Sequence, residues 1–239
     1  MRSTRLATAL AAILYGVAGL AWTILELTPQ GLGFPDTDDP AMSLRYLADH
    51  SDVYRQAGIA LIVMALALIV VVNGVTEVIR TRAAGADVAR SASGSDLAIR
   101  SVTTVGLFAA AAFLVFGAMR FSVLPILYVE TLDPAWGQTA YLVQQFAGIH
   151  GFAQVGVLCF GFWAVGAGIV GWRSGAIPAW LAALAIVPGL RILPLLTVVG
   201  NAEDAPGWLW IVFMLSIPGT MLWMLLLGIW LVRGRATAG

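Results

Sequence analysis

The chain has 239 residues, of which 60% are hydrophobic and 11% charged, and its mean hydropathy is +0.89. A soluble domain has about 25% charged residues and could not bury this much apolar surface, so the composition indicates an integral membrane protein. The net charge of zero offers no basic surface for nucleic acid, and a single cysteine, Cys159, excludes an internal disulfide and a cysteine metal cluster.

Six apolar stretches are long enough to cross a bilayer, whose ~30 Å core needs about 20 helical residues. They predict an all-α, polytopic fold with a single transmembrane domain over residues 1–239 and spans near residues 6–28, 57–79, 101–123, 147–171, 178–200 and 207–232. The first stretch follows a basic start, as in a signal peptide, and residues 17–21 offer small side chains for cleavage. Its apolar run exceeds the usual 7–15 residues of a signal peptide, so we expect a retained span.

Arginine placement predicts the orientation of the spans. With a cytoplasmic N-terminus, the inside segments carry nine Arg and two acids, and the outside segments carry two Arg and nine acids. Because arginines in short loops stay in the cytoplasm, both termini are predicted to be cytoplasmic. Trp136 and Trp208 at outer boundaries, with Trp172 and Trp180 at inner ones, fit an aromatic belt.

The outer loop after the first span contains a helix start. Asp39 followed by Pro40 is typical of an N-cap and a first helical position, and it predicts a short helix over residues 41–49. Leu44, Leu47 and Ala48 would share one side of this helix, which would lie on the membrane or cap the bundle. A solvated irregular loop is the alternative.

The later spans contain features that control helix packing. The short turn 173–177 makes the fourth and fifth spans antiparallel neighbours. Residues 187–189 and 217–219 each contain Pro-Gly and should lie at a similar mid-bilayer depth, either building a binding site or only kinking the helices for packing. Ala164 and Gly168, four residues apart, predict close helix packing within the bundle.

Polar side chains inside the spans are the best functional indicators, because a charge at mid-bilayer costs roughly 2.5–3.5 kcal/mol. Most of them fall in the outer half, whereas the inner half offers Asn73 and Glu77. Gln154 lies one helical turn deeper than His150, on the same face. The predicted ligand-binding residues are Glu26, Arg120, Gln144, Gln145, His150, Gln154 and Arg191.

This asymmetry predicts a polar pocket open to the outside. Arg120 and Arg191 would hold a small anionic or amphipathic ligand, such as a lipid headgroup, and His150 with the glutamines would orient it. The alternative is a structural network in which Glu26 pairs with an arginine. No metal and no cofactor are predicted, since haem would need a second axial ligand and the other histidine, His50, lies in the outer loop.

Two further functions compete with binding or transport. An accessory or structural subunit of a larger membrane complex, held by a membrane-protein partner, fits the small size and the missing motifs. An intramembrane enzyme could use His150 as a general base. No nucleophile, zinc motif or rhomboid-type serine motif accompanies this histidine, so no catalytic residue is predicted and a protein that is not an enzyme is favoured.

Two segments resemble a known family. They are Tyr46–His50 leading into Gln56–Leu61, and residues 166–190 with the turn Arg173–Pro178 between apolar helices. An apolar helix, a short Arg-Ser-Gly-x-x-Pro turn and another apolar helix resemble a bacterial family of small six-helix membrane proteins catalogued only as a domain of unknown function. The resemblance covers most of the chain and implies a six-helix bundle in the bacterial plasma (inner) membrane. It implies no activity and no functional residue.

Overall fold

The computed structural model describes residues 2–27, 39–85, 92–193 and 206–233, which are helical with no strand among them. The first six helices are α1 (Arg2–Leu27), α2 (Pro40–Asp49), α3 (Ser51–Gly85), α4 (Ala92–Phe121), α5 (Val123–Leu132) and α6 (Pro134–Gln145). A π-helical segment (Phe146–Ala153) continues from α6, and after it come α7 (Gln154–Arg173), α8 (Ala179–Leu184), α9 (Ile186–Leu190) and α10 (Gly207–Arg233).

Five helical stretches among the described residues are long and apolar enough to cross a membrane. They are Ser3–Leu25, Ser51–Ala84, Asp96–Phe121, Pro134–Arg173 and Gly207–Arg233. These stretches confirm the all-α fold class and overlap five of the six predicted spans. The predicted span 178–200 is not among them: its described part is two short helices interrupted at Ala185, and residues 194–200 lie outside the described part of the chain.

The fourth stretch begins 13 residues before the predicted start of its span, at Pro134 instead of residue 147. Asp133 starts this helix, because its side chain accepts hydrogen bonds from the backbone N–H groups of Ala135 (3.0 Å) and Trp136 (3.3 Å). At 1.5 Å per residue the stretch is ~60 Å long, about twice the bilayer core. A prediction made from span length alone therefore missed its first turns.

Helices α3 and α4 run antiparallel in very close contact. A Cβ atom at Gly58 would lie 2.7 Å from the backbone nitrogen of Phe121, and one at Gly117 would lie 3.0 Å from the carbonyl oxygen of Gly58. Towards the other end of the pair, the hydroxyls of Thr76 and Thr103 are 2.7 Å apart. These contacts fix the relative depth of residues on the two helices.

Helix α1 packs between α3 and α10. Gly74 of α3 lies against the side chain of Thr8, and Gly19 of α1 lies against Met221 of α10. A Cβ at Gly228 would lie 2.8 Å from the carbonyl oxygen of Ala9. Pairing of Gly19 with Met221 and of Ala9 with Gly228 makes α1 and α10 antiparallel.

The small residues of α7 pack within the bundle, as the sequence predicts. A Cβ at Gly168 would lie 2.9 Å from the Cβ of Ala185 and 3.1 Å from the carbonyl oxygen of Ala182. The side chain of Val187 lies against Gly219, so the two Pro-Gly interruptions face each other across α9 and α10. This contact agrees with their predicted common depth.

A small cap covers the end of the bundle where α3 begins and α4 ends, which we call the capped end. Helix α2 confirms the predicted helix, and the Asp39 side chain accepts from Ala41 N at 2.9 Å. Helices α2, α5 and α6 bury Leu44, Leu47, Val123 and Tyr141 in a second core. Ala48 was assigned to the buried side wrongly: it is exposed, because it lies roughly 90° around the helix from the face that packs.

Candidate functional site

The buried cation at the capped end is Arg120, whose side chain is 9% exposed near the end of α4. Its guanidinium carbon lies 4.8 Å from the ring centre of Tyr54 and 5.0 Å from that of Phe116. A cation over an aromatic face is attracted by the ring quadrupole, and the attraction grows when water is excluded. The rings of two helices therefore hold this charge at one position.

Hydrogen-bonding side chains surround this cation. The Gln145 side chain is within hydrogen-bonding reach of the hydroxyls of Tyr54 and Tyr141, and the Tyr141 hydroxyl also reaches Ser43 of α2. Tyr141 in turn lies close enough to Arg120 for electrostatic interaction. Residues from α2, α3, α4 and α6 thus converge on one place.

Gln144 connects the same group to the backbone of α4. Its Nε2 donates to the carbonyl oxygen of Met119, and its buried Oε1 has no hydrogen-bond partner among the described residues. The set of Tyr54, Arg120, Tyr141, Gln144 and Gln145 is called the Arg120 cluster below.

A second guanidinium lies beside the cluster. Arg55, which follows Tyr54 on α3, places its guanidinium carbon 5.0 Å from the ring centre of Phe121. Its Nε is buried and lacks a hydrogen-bond partner among the described residues. Two arginines are therefore held by aromatic rings at the junction of α3 and α4, and Arg55 supplies an N–H donor that is still available.

The structure brings together three of the predicted residues, Arg120, Gln144 and Gln145. The π-helical segment that contains position 150 passes beside them, since a Cβ at Gly148 would lie 3.5 Å from the Phe116 ring. The side chain of His150 is outside the described part of the structure.

Two other predicted residues are placed only in part. Glu26 is the penultimate residue of α1, and its side chain is also outside the described part. Gln154 is half-buried and begins α7. Because a π-helix bonds i to i+5, positions 150 and 154 do not lie one above the other as they would in an α-helix, which corrects the predicted shared face.

Arg191 lies in a different layer of the bundle. It is 5% exposed, directly follows α9, and interacts electrostatically with Tyr15 of α1. Tyr15 stacks on Phe160 at 5.5 Å, and Phe160 in turn contacts Phe113 of α4 at 6.4 Å. Because Phe113 precedes Arg120 by seven residues, this layer lies ~10 Å deeper than the Arg120 cluster.

Sequence reasoning missed Tyr54 and Tyr141 and counted Arg55 only as a loop charge. One available signal was the four-residue spacing of Tyr141 and Gln145, which puts them on one helical face. The other was the pair Tyr54 and Arg55 at the start of an apolar run. Neither signal shows that these side chains meet Arg120, because the contacts come from three separate helices.

The chemistry of the Arg120 cluster is that of binding. Guanidinium N–H groups form strong, charge-assisted hydrogen bonds to anionic oxygens, and tyrosine hydroxyls and glutamine amides both donate and accept. In the parts of the chain that the structure describes, no group of three or more His, Cys, Asp or Glu side chains could hold a metal ion.

No protein-family model matches the chain, and searches of curated proteins and of solved structures gave no significant match. The resemblance to a six-helix bacterial family therefore stays a prediction. Any functional proposal has to rest on the geometry of the site.

Proposed function

We propose that this protein is a multi-pass protein of the bacterial plasma membrane that binds a small anionic or amphipathic ligand at the Arg120 cluster. Six spans, with both termini in the cytoplasm, are supported by the five long apolar helices and by the apolar sequence of residues 178–200. The excess of arginine in the segments assigned to the inside supports this orientation. In it, the capped end faces outwards.

The observation that carries the proposal is the burial of the Arg120 guanidinium against Tyr54 and Phe116 at the capped end. Removing a cation from water is costly, and a bound anion would offset that cost at the same position. Arg55 next to it raises the local positive potential and offers an unused N–H donor. A fixed cationic site with polar neighbours suits an oxyanion.

The surroundings of the cluster favour a ligand with an apolar part. Tyr141 belongs to the apolar core of the cap, together with Val123, and Leu127 packs against that core. Apolar and charged surfaces therefore adjoin at the capped end, as in sites for amphipathic molecules. A lipid phosphate headgroup and a free phosphate share the oxyanion chemistry that the arginines would recognise.

Calorimetric titration of the purified protein in a neutral detergent tests the proposal, with dihexanoyl phosphatidic acid and inorganic phosphate as probes. We expect Arg120→Leu to weaken binding of the phosphatidate roughly tenfold to a hundredfold, since a hydrogen bond to a charged group contributes about 1.5–3 kcal/mol. Arg120→Lys should keep part of the affinity, because the charge remains while the planar fork of donors is lost.

The matched control is Arg45→Leu, which removes an exposed arginine from α2 and should leave the affinity unchanged. Binding of the phosphatidate alone indicates a lipid headgroup, whereas binding of both probes indicates a free anion. The proposal is wrong if neither probe binds the wild type, or if Arg120→Leu binds like the wild type. A purely structural network predicts that Arg120→Leu lowers only thermal stability.

A further inference from the structure

One face of α3 is exposed along the length of the helix and carries polar groups at one end. Its outward positions follow one another at alternating intervals of four and three residues: Leu66, Val70, Asn73, Glu77 and Arg80. The other side of α3 packs on α1 at Gly74 and on α4 at Thr76. The exposed stripe therefore faces away from the chain's own bundle.

Asn73 is an unusual side chain for such a stripe. It precedes Arg80 by seven residues, which places it ~10 Å towards the middle of the apolar stretch. One amide N–H donates to the carbonyl oxygen of Ile69 at 2.8 Å. An asparagine amide has a second donor and an acceptor oxygen, and polar groups directed at hydrocarbon are costly.

We propose that the exposed stripe of α3 pairs with the same stripe of a second copy of this chain, about a two-fold axis along the membrane normal. The proposal rests on the membrane placement of α3 given under Proposed function. Copies in one membrane share their orientation, so the two α3 helices would run parallel and identical residues would meet at the same depth. Asn73 would then face Asn73 of the second copy.

An amide facing its own copy is self-complementary. Each Asn73 can donate its second N–H and accept through its oxygen, so the two-fold axis satisfies both amides at once. Hydrogen bonds of this kind between membrane helices contribute to association. An unrelated partner would need a matching group at the same depth, whereas a second copy supplies one by symmetry.

The charges on the stripe also favour pairing with a second copy. Glu77 and Arg80 are three residues apart on the same face, so in a parallel pair each Glu77 lies one layer from Arg80 of the second copy. Both combinations form by symmetry. Arg80 also lies 3.9 Å from Asp96 of its own chain, which holds its charge near this end of the stripe.

Site-directed cross-linking in membranes tests the interface. In a Cys159→Ser background, we expect Asn73→Cys to give a cross-linked dimer with a short bis-maleimide. Phe108→Cys should give none. Phe108 is a suitable control because it is exposed on α4 and lies within about 3 Å of the depth of Asn73, by the rise per residue counted from the Thr76–Thr103 contact.

A second readout uses the otherwise intact chain. We expect Asn73→Leu to raise the dissociation constant of the dimer about threefold to tenfold, as measured by energy transfer between labelled copies in bicelles. Equal cross-linking at Asn73 and Phe108, no cross-linking at Asn73, or an unchanged dissociation constant would overturn the proposed pairing. A cross-link from Asn73→Cys to a different protein would also overturn it.

An alkaline carbonate wash of the membranes separates this failure from failure of the membrane placement. A chain released by the wash contradicts the membrane placement. A chain retained in the pellet without a dimer contradicts the α3 interface alone.

Discussion

Replacing Trp163 by alanine is expected to lower the free energy of unfolding by roughly 3 kcal/mol, which is the scale for truncating a large buried aromatic side chain. Trp163 is 1% exposed and packs with Phe160 at 5.5 Å and Trp223 at 5.9 Å between ring centres. It also fills the space above Gly106, where a Cβ would lie 2.5 Å from its ring. Unfolding in mixed micelles of increasing sodium dodecyl sulfate fraction measures the effect.

The physical reason is the cavity left behind, because lipid tails are as apolar as the protein core and transfer between them contributes little. The matched control is Trp172→Ala, nine residues later on the same helix and 57% exposed. We expect this control to change the free energy of unfolding by less than about 0.5 kcal/mol. Similar losses for both variants would contradict the placement of α7.

Replacing Gly58 by alanine is expected to destabilise the protein by roughly 1–3 kcal/mol, which is typical of overpacking. The new Cβ would lie 2.7 Å from the backbone nitrogen of Phe121 and 2.9 Å from the carbonyl oxygen of Gly117. Both neighbours are backbone atoms, so they cannot move aside as a flexible side chain would. Helices α3 and α4 would have to separate where Tyr54 meets Arg120.

This variant therefore couples stability to the site. Measured in the same mixed micelles and by calorimetry, Gly58→Ala should lose both stability and affinity for the phosphatidate probe. Gly207→Ala is the matched control, since nothing lies within 4 Å of a Cβ there. It should leave both quantities close to wild type. A Gly58→Ala protein of wild-type stability would contradict the close α3–α4 contact.

The sequence predicts much of the fold because the bilayer imposes a simple requirement. Runs of about 20 apolar residues locate five of the long helices, and the Asp39-Pro40 pair locates α2. The same signal at Asp133-Pro134 marks the start of α6, where span length alone gave a later boundary. The interruption at Ala185 has no local signal as strong, because it depends on how α8 and α9 pack on α7 and α10.

The site was less accessible from the sequence. Arg120, Gln144 and Gln145 were recognisable as polar residues near apolar stretches, and the structure brings them together. Arg191 was grouped with them because counting residues gives an approximate depth but not which helices are neighbours. Its interaction with Tyr15 places it in the deeper aromatic layer instead.

Native mass spectrometry of the protein released from gentle detergent tests most directly whether the Arg120 cluster binds an anionic ligand. The account predicts that wild type and Arg45→Leu carry an additional non-covalent mass, matching an anionic molecule, and that Arg120→Leu does not. Loss of the mass in Arg191→Leu alone would place the site in the deeper layer. A bare wild-type chain, or the same bound mass in Arg120→Leu, would contradict the account.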